Sequence, residues 1–245
     1  MEVSIIRTFF FVVVFWGLLI ISPVFLLKYY VLKIINDDKA YFYANRLASA
    51  WGRMIIKVGG GSVDVTGLEN LPESNRVCYI TNHQSYIDIP VILGWVPRPM
   101  GAIGKHSLKY VPFLNLWMKP LRAILINRKS LKQSKEVIKK GIEQIRSGHP
   151  VIIAPEGTRS RSNKMNRFKA GSFKLAKDSG AAIVPLTVDG AYRGLEETGK
   201  IVPVHIKLTI HPVIPAEEVA SLSTGELADK CWNIINSGLE NPNEP

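Results

Sequence analysis

Residues 77–90 read VCYITNHQSYIDIP, and this stretch decides the fold class of the chain. Its first five residues are mostly apolar and rich in types that favour strands, which predicts a buried β-strand at 77–81. Pro90 is tolerated in the first turn of a helix, so we predict a helix that begins near Asp88. A buried strand followed within a few residues by a helix is typical of an α/β sheet.

The same alternation continues along the chain after the triple glycine at 59–61. The clearest helical pattern runs from Leu131 to Arg146, with Ser130 as its predicted cap, and a second helix is predicted at 168–177. Apolar strands that alternate with helices predict an α/β fold, with a mixed sheet covered by helices on both faces. The predicted strands are 62–66, 77–81, 123–127, 151–154, 182–188 and 205–214.

His83 and Asp88 lie five positions apart, directly after the predicted strand at 77–81. Within one helix, five residues turn the chain by about 500°, so the two side chains would diverge. They can meet if His83 occupies the turn and Asp88 opens the next helix. The carboxylate would then accept one imidazole N–H and leave the other nitrogen to take a proton from a substrate hydroxyl. The alternative is that Asp88 only caps the helix.

The composition favours an anionic partner. The chain has 245 residues, is 47% hydrophobic and carries a formal net charge of +11. Such charge suits nucleic acid, an acidic membrane surface or a phosphorylated small molecule. No familiar nucleic-acid-binding module is visible, so we predict no nucleic-acid partner. The two cysteines, Cys78 and Cys231, predict neither a disulfide framework nor a zinc site and are typical of a reducing compartment.

The N-terminal region predicts a helical, membrane-associating element. Residues 8–27 are twenty uncharged residues, enough to cross a bilayer core. Pro23 would kink such a helix, so the segment could instead lie within one leaflet. The residues that follow, 28–33, include two lysines and no small-residue cleavage pattern, which disfavours a secretory signal peptide.

Residues 39–58 show the pattern of a basic amphipathic helix, with Asp37 or Asp38 as its predicted cap. Such a helix suits the interface of an anionic membrane. The alternative is a helix that packs on the protein's own core and leaves its basic face to solvent. Next to an apolar stretch of twenty residues, the membrane interpretation is favoured.

Three further stretches place cations after apolar runs. The sequence PEGTRS at 155–160 follows a predicted strand, where small residues bring backbone N–H groups close to a ligand and Arg159 offers a fork matched to phosphate. Arg128 ends another predicted strand, and Lys105 follows GAIG at 101–104. The structural alternative is an ordinary surface turn for 155–160 and a solvated strand end for Arg128, whereas Lys105 alone indicates little.

Together and in this order, these residues resemble the glycerolipid acyltransferase family, specifically the bacterial-type 1-acylglycerol-3-phosphate acyltransferases, over roughly residues 60–215. One departure is visible in the family's second motif, which ILINR at 124–128 resembles. This motif usually begins with glycine and carries phenylalanine, where this chain has Arg122 and Leu125. The departure concerns the shape of the acceptor pocket that the family resemblance implies. The motifs that carry the resemblance are NHQSYID at 82–88, ILINR at 124–128, EGTRS at 156–160, VPLTV at 184–188 and FKAG at 168–171.

The resemblance implies acyl transfer from acyl-coenzyme A or acyl carrier protein to the free hydroxyl of a lysophosphatidic acid, with no cofactor or metal. It implies that His83 is the general base and that Asp88 orients it. Backbone N–H groups near Gly157 are candidate oxyanion donors. The residues implied for the acceptor's phosphate are Lys105, Arg128, Glu156, Gly157, Thr158 and Arg159.

The implied organisation has membrane-associating helices at 1–58, an acyltransferase catalytic domain at 59–240 and a polar tail at 241–245. The catalytic domain is expected on the cytoplasmic side of the cell membrane, where both donors are made. Three alternatives stay open. They are the same chemistry on another acceptor (glycerol 3-phosphate, another lysophospholipid or a lyso-aminolipid), a thioesterase or lipid hydrolase with Ser85 as nucleophile, and a phospholipid-binding protein without activity.

Overall fold

The protein folds around one seven-stranded mixed sheet, as seen in a computed structural model that describes residues 2–127 and 131–242. The strand order is β1-β7-β6-β2-β5-β3-β4. Neighbours from β6 to β4 run parallel, whereas β7 is antiparallel to β6 and pairs in parallel with β1. The predicted mixed sheet is therefore confirmed. The strands are β1 Ser62–Thr66, β2 Val77–Thr81, β3 Gly101–Lys105, β4 Ile124–Ile126, β5 Val151–Ile153, β6 Ala182–Asp189 and β7 His205–Ile210.

Helices cover both faces of the sheet, as the side chains of β2 illustrate. Cys78 and Ile80 belong to a core on one face that includes residues of α6, α7, α8 and α9. Val77 and Tyr79 point to the opposite face, where residues of α3 and α4 complete a second core. The helices are α1 Glu2–Ile21, α2 Val24–Ile35, α3 Asp37–Val58, α4 Asp88–Trp95, α5 Leu114–Met118, α6 Leu131–Arg146, α7 Lys174–Ser179, α8 Ala216–Ser221 and α9 Thr224–Ser237.

Two elements differ from the sequence-based prediction. Strand β3 was not predicted, because two of its five residues are glycines, which strands disfavour. The helix predicted at 168–177 begins later, as a 3₁₀ turn at Ala170–Phe173 that leads into α7. The N–H of Lys169 donates instead to the carbonyl oxygen of Pro155, which ties this segment to the turn after β5. The predicted cap Ser130 lies outside the described residues.

Helices α1 and α2 are separated at Ser22 and Pro23, where the sequence predicted a kink. They expose large apolar side chains, including Phe9 at 71% and Ile34 at 87%. Within the two described ranges, Ser4–Ile35 is the stretch whose length and composition would allow it to cross a membrane.

Helix α3 packs closely on α4. A Cβ atom on Gly52 would lie 2.4 Å from the carbonyl oxygen of Pro90, so the glycine permits an approach that a side chain would block. The Nε–H of Arg53 donates to the carbonyl oxygen of Gly94 at 2.6 Å, and Ile56 is part of the core under the sheet. The apolar face of the predicted amphipathic helix therefore lies largely on the protein itself. The core packing continues across residue 58, the predicted domain boundary.

The start of α3 is held by residues other than those predicted. The side chain of Asn36 accepts the N–H of Lys39 at 2.8 Å, so Asn36 is the cap and Asp37 and Asp38 begin the helix. Arg122, which stands where the family usually has glycine, adopts a positive φ of 50°. Its guanidinium reaches Asp37 at 2.5 Å, so this departure from the family motif serves the junction with α3.

Candidate active site

The functional residues predicted from the sequence gather at one edge of the sheet. Strands β2, β5, β3 and β4 are parallel neighbours, so their carboxyl ends meet at the same edge, where α/β proteins usually bind ligands. His83 follows β2, Glu156 and Arg159 follow β5, and Lys105 is the last residue of β3. Arg128, predicted to follow β4, lies outside the described residues.

His83 and Asp88 form a hydrogen-bonded pair. Nδ1 of His83 lies 2.7 Å from Oδ2 of Asp88, which also accepts the N–H of Ser85 at 2.9 Å. Asp88 is the first residue of α4 and is 1% exposed, and Ile87 occupies the cap position. Because an ionised carboxylate only accepts hydrogen bonds, Nδ1 carries the hydrogen and the lone pair of Nε2 is left for another proton.

The protonation of Asp88 reflects two opposing influences. Burial raises the pKa of the Asp88 carboxyl above its ordinary value, while the hydrogen bonds from His83 and Ser85 act to lower it. These donors favour the ionised carboxylate that the His83 tautomer requires. The side chain of His83 is 20% exposed, so the ring remains open to the solvent side of the site.

Glu156 stabilises the turn that carries His83 through hydrogen bonds. Its Oε1 accepts the backbone N–H of His83 at 2.7 Å, and its Oε2 accepts the backbone and side-chain N–H groups of Asn166 at 2.9 and 2.8 Å. Burial raises the pKa of Glu156, and the N–H groups of Asn166 and His83 oppose that rise. Both oxygens are thus occupied by donors of the protein. This geometry differs from the direct phosphate contact predicted for Glu156.

Gly157 shapes the turn after β5. Its φ is +74°, and a Cβ atom there would lie 2.6 Å from Nζ of Lys169. The glycine therefore lets the ammonium group of Lys169 approach the turn. The N–H of Gly157 donates to the carbonyl oxygen of Ala154 at 3.1 Å. An oxyanion donor among the backbone N–H groups near Gly157 stays a prediction. Thr158 is exposed, and the N–H of Ser160 donates to the carbonyl oxygen of His83 at 2.8 Å.

Arg159 is held by two residues that sequence reasoning did not assign to the site. Its Nη1 lies 2.8 Å from Oε1 of Glu196, and its guanidinium carbon lies 3.4 Å from the ring centroid of Tyr86. Glu196 lies in the loop after β6 and is one of two adjacent glutamates, so no local pattern distinguishes it. Lys169 belongs to the quoted FKAG segment, yet no role was predicted for it.

The hydroxyl of Ser85 forms its hydrogen bonds with groups other than the His83 ring. It donates to Oε2 of Glu196 at 2.5 Å and accepts the N–H of Ile87 at 3.0 Å. The residue is fully buried. The hydrolase alternative needs the Ser85 hydroxyl hydrogen directed at His83 and its oxygen open to substrate. In this structure the hydrogen is directed at Glu196, and the oxygen is buried.

The fold and the site together define the class of the protein. His83 and the buried Asp88 form a hydrogen-bonded pair at the carboxyl edge of a mixed sheet, where the neighbouring turn after β5 carries Arg159. A family model described as Acyltransferase matches residues 62–189, just over half of the chain. The chain belongs to the acyltransferase family.

Relatives within the family have more specific names. The chain is 34% identical over 147 residues to a 1-acyl-sn-glycerol-3-phosphate acyltransferase of Borreliella burgdorferi, covering 58% of this chain and 59% of that protein. It is 31% identical over 171 residues to a protein of the same name from Pseudomonas aeruginosa, covering 69% of this chain and 66% of that protein. The chain thus spans less than two thirds of these relatives' lengths.

A solved structure shares the fold over nearly the whole chain. The crystal structure of the 1-acyl-sn-glycerophosphate (LPA) acyltransferase from Thermotoga maritima superposes with a TM-score of 0.83 at 24% sequence identity. The match covers 97% of this chain and 96% of the Thermotoga chain. The N-terminal helices therefore belong to the shared architecture.

Proposed function

We propose that this protein transfers a fatty acyl group from acyl-coenzyme A or acyl carrier protein to the free hydroxyl of 1-acyl-sn-glycerol 3-phosphate, which gives phosphatidic acid. The observation that carries the proposal is the 2.7 Å contact between Nδ1 of His83 and Oδ2 of Asp88, which leaves the second ring nitrogen available to take a proton. The names of the relatives from Borreliella burgdorferi and Pseudomonas aeruginosa support the choice of acceptor.

The proposed reaction uses the acceptor itself as nucleophile. Nε2 of His83 takes the proton of the acceptor hydroxyl as its oxygen attacks the thioester carbonyl carbon. Asp88 holds the ring and stabilises the imidazolium that forms. The tetrahedral intermediate then collapses, the carbon–sulfur bond breaks, and the departing thiolate takes the proton from His83. The products are the new ester and the free thiol, with no acyl-enzyme and no cofactor.

The acceptor's phosphate would bind to cationic side chains at the carboxyl edge of the sheet. We keep Arg159 and Lys105 as phosphate-binding residues from the sequence-based prediction, and Arg128 stays a prediction. We add Lys169, because its ammonium group lies against Gly157. Glu156 and Gly157 act on the shape of the turn: the carboxylate holds His83 and Asn166, and the glycine admits Lys169.

The N-terminal helices would place this site at a membrane. The exposed apolar side chains of α1 and α2 suit the hydrocarbon boundary, and the net charge of +11 suits an anionic lipid surface. We propose that the catalytic domain faces the cytoplasm, where acyl-coenzyme A and acyl carrier protein are both found. The acceptor and the product are held in the same membrane.

The test is a product assay. Labelled acyl-coenzyme A and acyl carrier protein are offered with a panel of acceptors, and the lipid formed is identified. His83→Ala should lower turnover by about 10²–10⁴-fold, the usual contribution of a general base. His205→Ala, on the exposed start of β7, is the matched control and should behave as wild type. Near-normal turnover by folded His83→Ala would refute the mechanism, and a different acylated product would refute the acceptor.

The hydrolase alternative is tested by Ser85→Ala. A hydrolase with Ser85 as nucleophile would lose its activity, and its product would be a free fatty acid. The proposed acyltransferase should lose far less activity than such a hydrolase, because the Ser85 hydroxyl is bound to Glu196.

A further inference from the structure

A buried carboxylate joins the His83 turn to the Arg159 turn. The side chain of Glu196 is 4% exposed. Its Oε2 accepts the hydroxyl of Ser85 at 2.5 Å, and its Oε1 accepts the N–H of Tyr86 at 3.0 Å and Nη1–H of Arg159 at 2.8 Å. One carboxylate therefore contacts both the segment that carries His83 and the side chain proposed to bind phosphate.

The burial of Glu196 requires these contacts. An ionised carboxylate is unfavourable away from water unless opposite charge and hydrogen-bond donors compensate for its lost hydration. Arg159 supplies the charge, and Ser85 and Tyr86 supply two further donors. The adjacent Glu197 is exposed, so the loop carries one carboxylate in the site and one in solvent.

The same contacts fix the guanidinium of Arg159 before any ligand binds. Glu196 holds Nη1, and the ring of Tyr86 lies 3.4 Å from the guanidinium carbon. An arginine side chain has five N–H donors, so Nε and Nη2 keep donors for an anion. A side chain that is already ordered loses less conformational entropy on binding, which strengthens the contact it makes.

We propose that Glu196 is a positioning residue for the acceptor: it holds Arg159 against Tyr86 and so sets the preference for an acceptor that carries a phosphate. Glu196 does not itself touch the substrate. The inference rests on the proposed function, since it assigns the phosphate to Arg159.

The experiment compares two matched acceptors, a 1-acylglycerol 3-phosphate and the corresponding 1-acylglycerol without phosphate. The phosphate preference is the ratio of the two kcat/KM values. The variants are Glu196→Ala, Glu196→Gln, Arg159→Ala and the double variant Glu196→Ala/Arg159→Ala. Glu197→Ala is the matched control, because it removes the same charge from the same loop at an exposed position. Thermal unfolding of each variant reports on the fold.

Glu196→Ala should lower the phosphate preference by roughly tenfold, a fold-change that corresponds to about 1.4 kcal/mol. A decrease in kcat/KM that is equal for both acceptors would indicate an effect on the His83 turn, and it would leave the ratio unchanged. Glu196→Gln should keep most of the preference, since its amide oxygen can still accept from Tyr86 and Arg159. Adding Glu196→Ala to Arg159→Ala should lower the ratio no further, because the positioned group is already absent. Glu197→Ala should keep the wild-type ratio.

An unchanged ratio in folded Glu196→Ala, or a further loss of preference in the double variant, would overturn the positioning role. If Glu196→Ala does not fold, Glu196→Asp takes its place, because the shorter side chain withdraws the carboxylate from Arg159. An unchanged phosphate preference in folded Glu196→Asp would then overturn the positioning role. A wild-type protein that does not acylate this acceptor refutes the proposed function alone. In that case the phosphate preference is measured as the ratio of the dissociation constants of the two acceptors, and the same variants are compared. Equal binding of both acceptors by the wild-type protein would overturn both proposals.

Discussion

The backbone N–H of His83 donates to Oε1 of Glu156 at 2.7 Å, so the turn after β2 is fixed by a carboxylate from the turn after β5. Strands β2 and β5 are parallel neighbours, which places both turns at the same edge. The position of the His83 ring therefore depends on its Asp88 partner and on its own backbone contact with Glu156.

Glu156→Gln should destabilise the protein and slow turnover. Glutamine has one acceptor oxygen, so either His83 or Asn166 would face an NH₂ group and lose its acceptor. A buried donor left without a partner costs about 1–3 kcal/mol. In a protein of this size this lowers Tm by roughly 2–12 °C. The measurements are thermal unfolding and kcat. Glu143→Gln, at an exposed position on α6, is the control, and equal behaviour of the two variants would contradict this role.

Arg159→Lys should fail to restore the wild-type preference for a phosphate-bearing acceptor. An ammonium group keeps the charge but cannot bind Glu196 and a phosphate through separate nitrogens. We expect kcat/KM on 1-acylglycerol 3-phosphate to fall by about tenfold or more, in line with a lost charged hydrogen bond. Arg161→Lys tests the same exchange at an exposed neighbour. Full activity of Arg159→Lys would mean that charge alone is required.

Charges on the apolar face of α1 and α2 should release the protein from membranes without unfolding it. Phe9→Asp/Ile34→Asp alters side chains that are 71% and 87% exposed, so the fold should survive. An aspartate within the hydrocarbon region costs about 2.5–3.5 kcal/mol at a helix centre. Sedimentation with anionic vesicles measures the effect. Asn75→Asp/Asn233→Asp adds the same two charges elsewhere on the surface. Equal vesicle binding by the two double variants would argue against the membrane role of these helices.

The stability of the protein should decline below about pH 6.5, in part through His211. The hydroxyl of Thr187 donates to the carbonyl oxygen of Ile235 at 2.7 Å, so Nε2 of His211, at 2.8 Å, must donate to that hydroxyl. Burial lowers the pKa of His211. Below the ordinary value of about 6.5 the unfolded chain binds a proton that the folded chain does not. This contribution to stability is therefore complete above that pH and is lost as pH falls through the lowered pKa.

His211→Gln keeps an N–H donor and removes the titrating group. Its free energy of unfolding, measured by urea between pH 7.5 and pH 5, should fall less steeply with acid than that of wild type. Identical slopes for the two proteins would exclude His211 as a source of the decline.

The sequence could predict what depends on neighbours along the chain. The contact between His83 and Asp88 follows from a strand, a short turn and a helix within twelve residues, and the apolar run 77–81 predicted β2 without error. Strand β3 was missed because its pairing with β4 and β5 outweighs the weak strand propensity of Gly101 and Gly104.

Glu196 could not be found in this way. Its partner Ser85 is 111 positions away, and nothing in the local sequence separates it from Glu197. Arg122 shows the same limit: the sequence revealed a departure from the family motif, but only the fold brings its guanidinium to Asp37. Contacts between distant turns depend on the sheet order, which the sequence alone did not provide.

Gly52 has a consequence for how the protein meets its substrate. Because the glycine lets α3 pack directly on Pro90, α3 is in close contact with the helix that begins at Asp88. If α1 and α2 lie in the membrane, as proposed above, they anchor the catalytic domain to the bilayer. The depth of these two helices in the lipid would then set the height of His83 above the acyl chains. The bilayer would then take part in acceptor selection. An acceptor would be selected by the distance of its hydroxyl from the hydrocarbon region as well as by its headgroup.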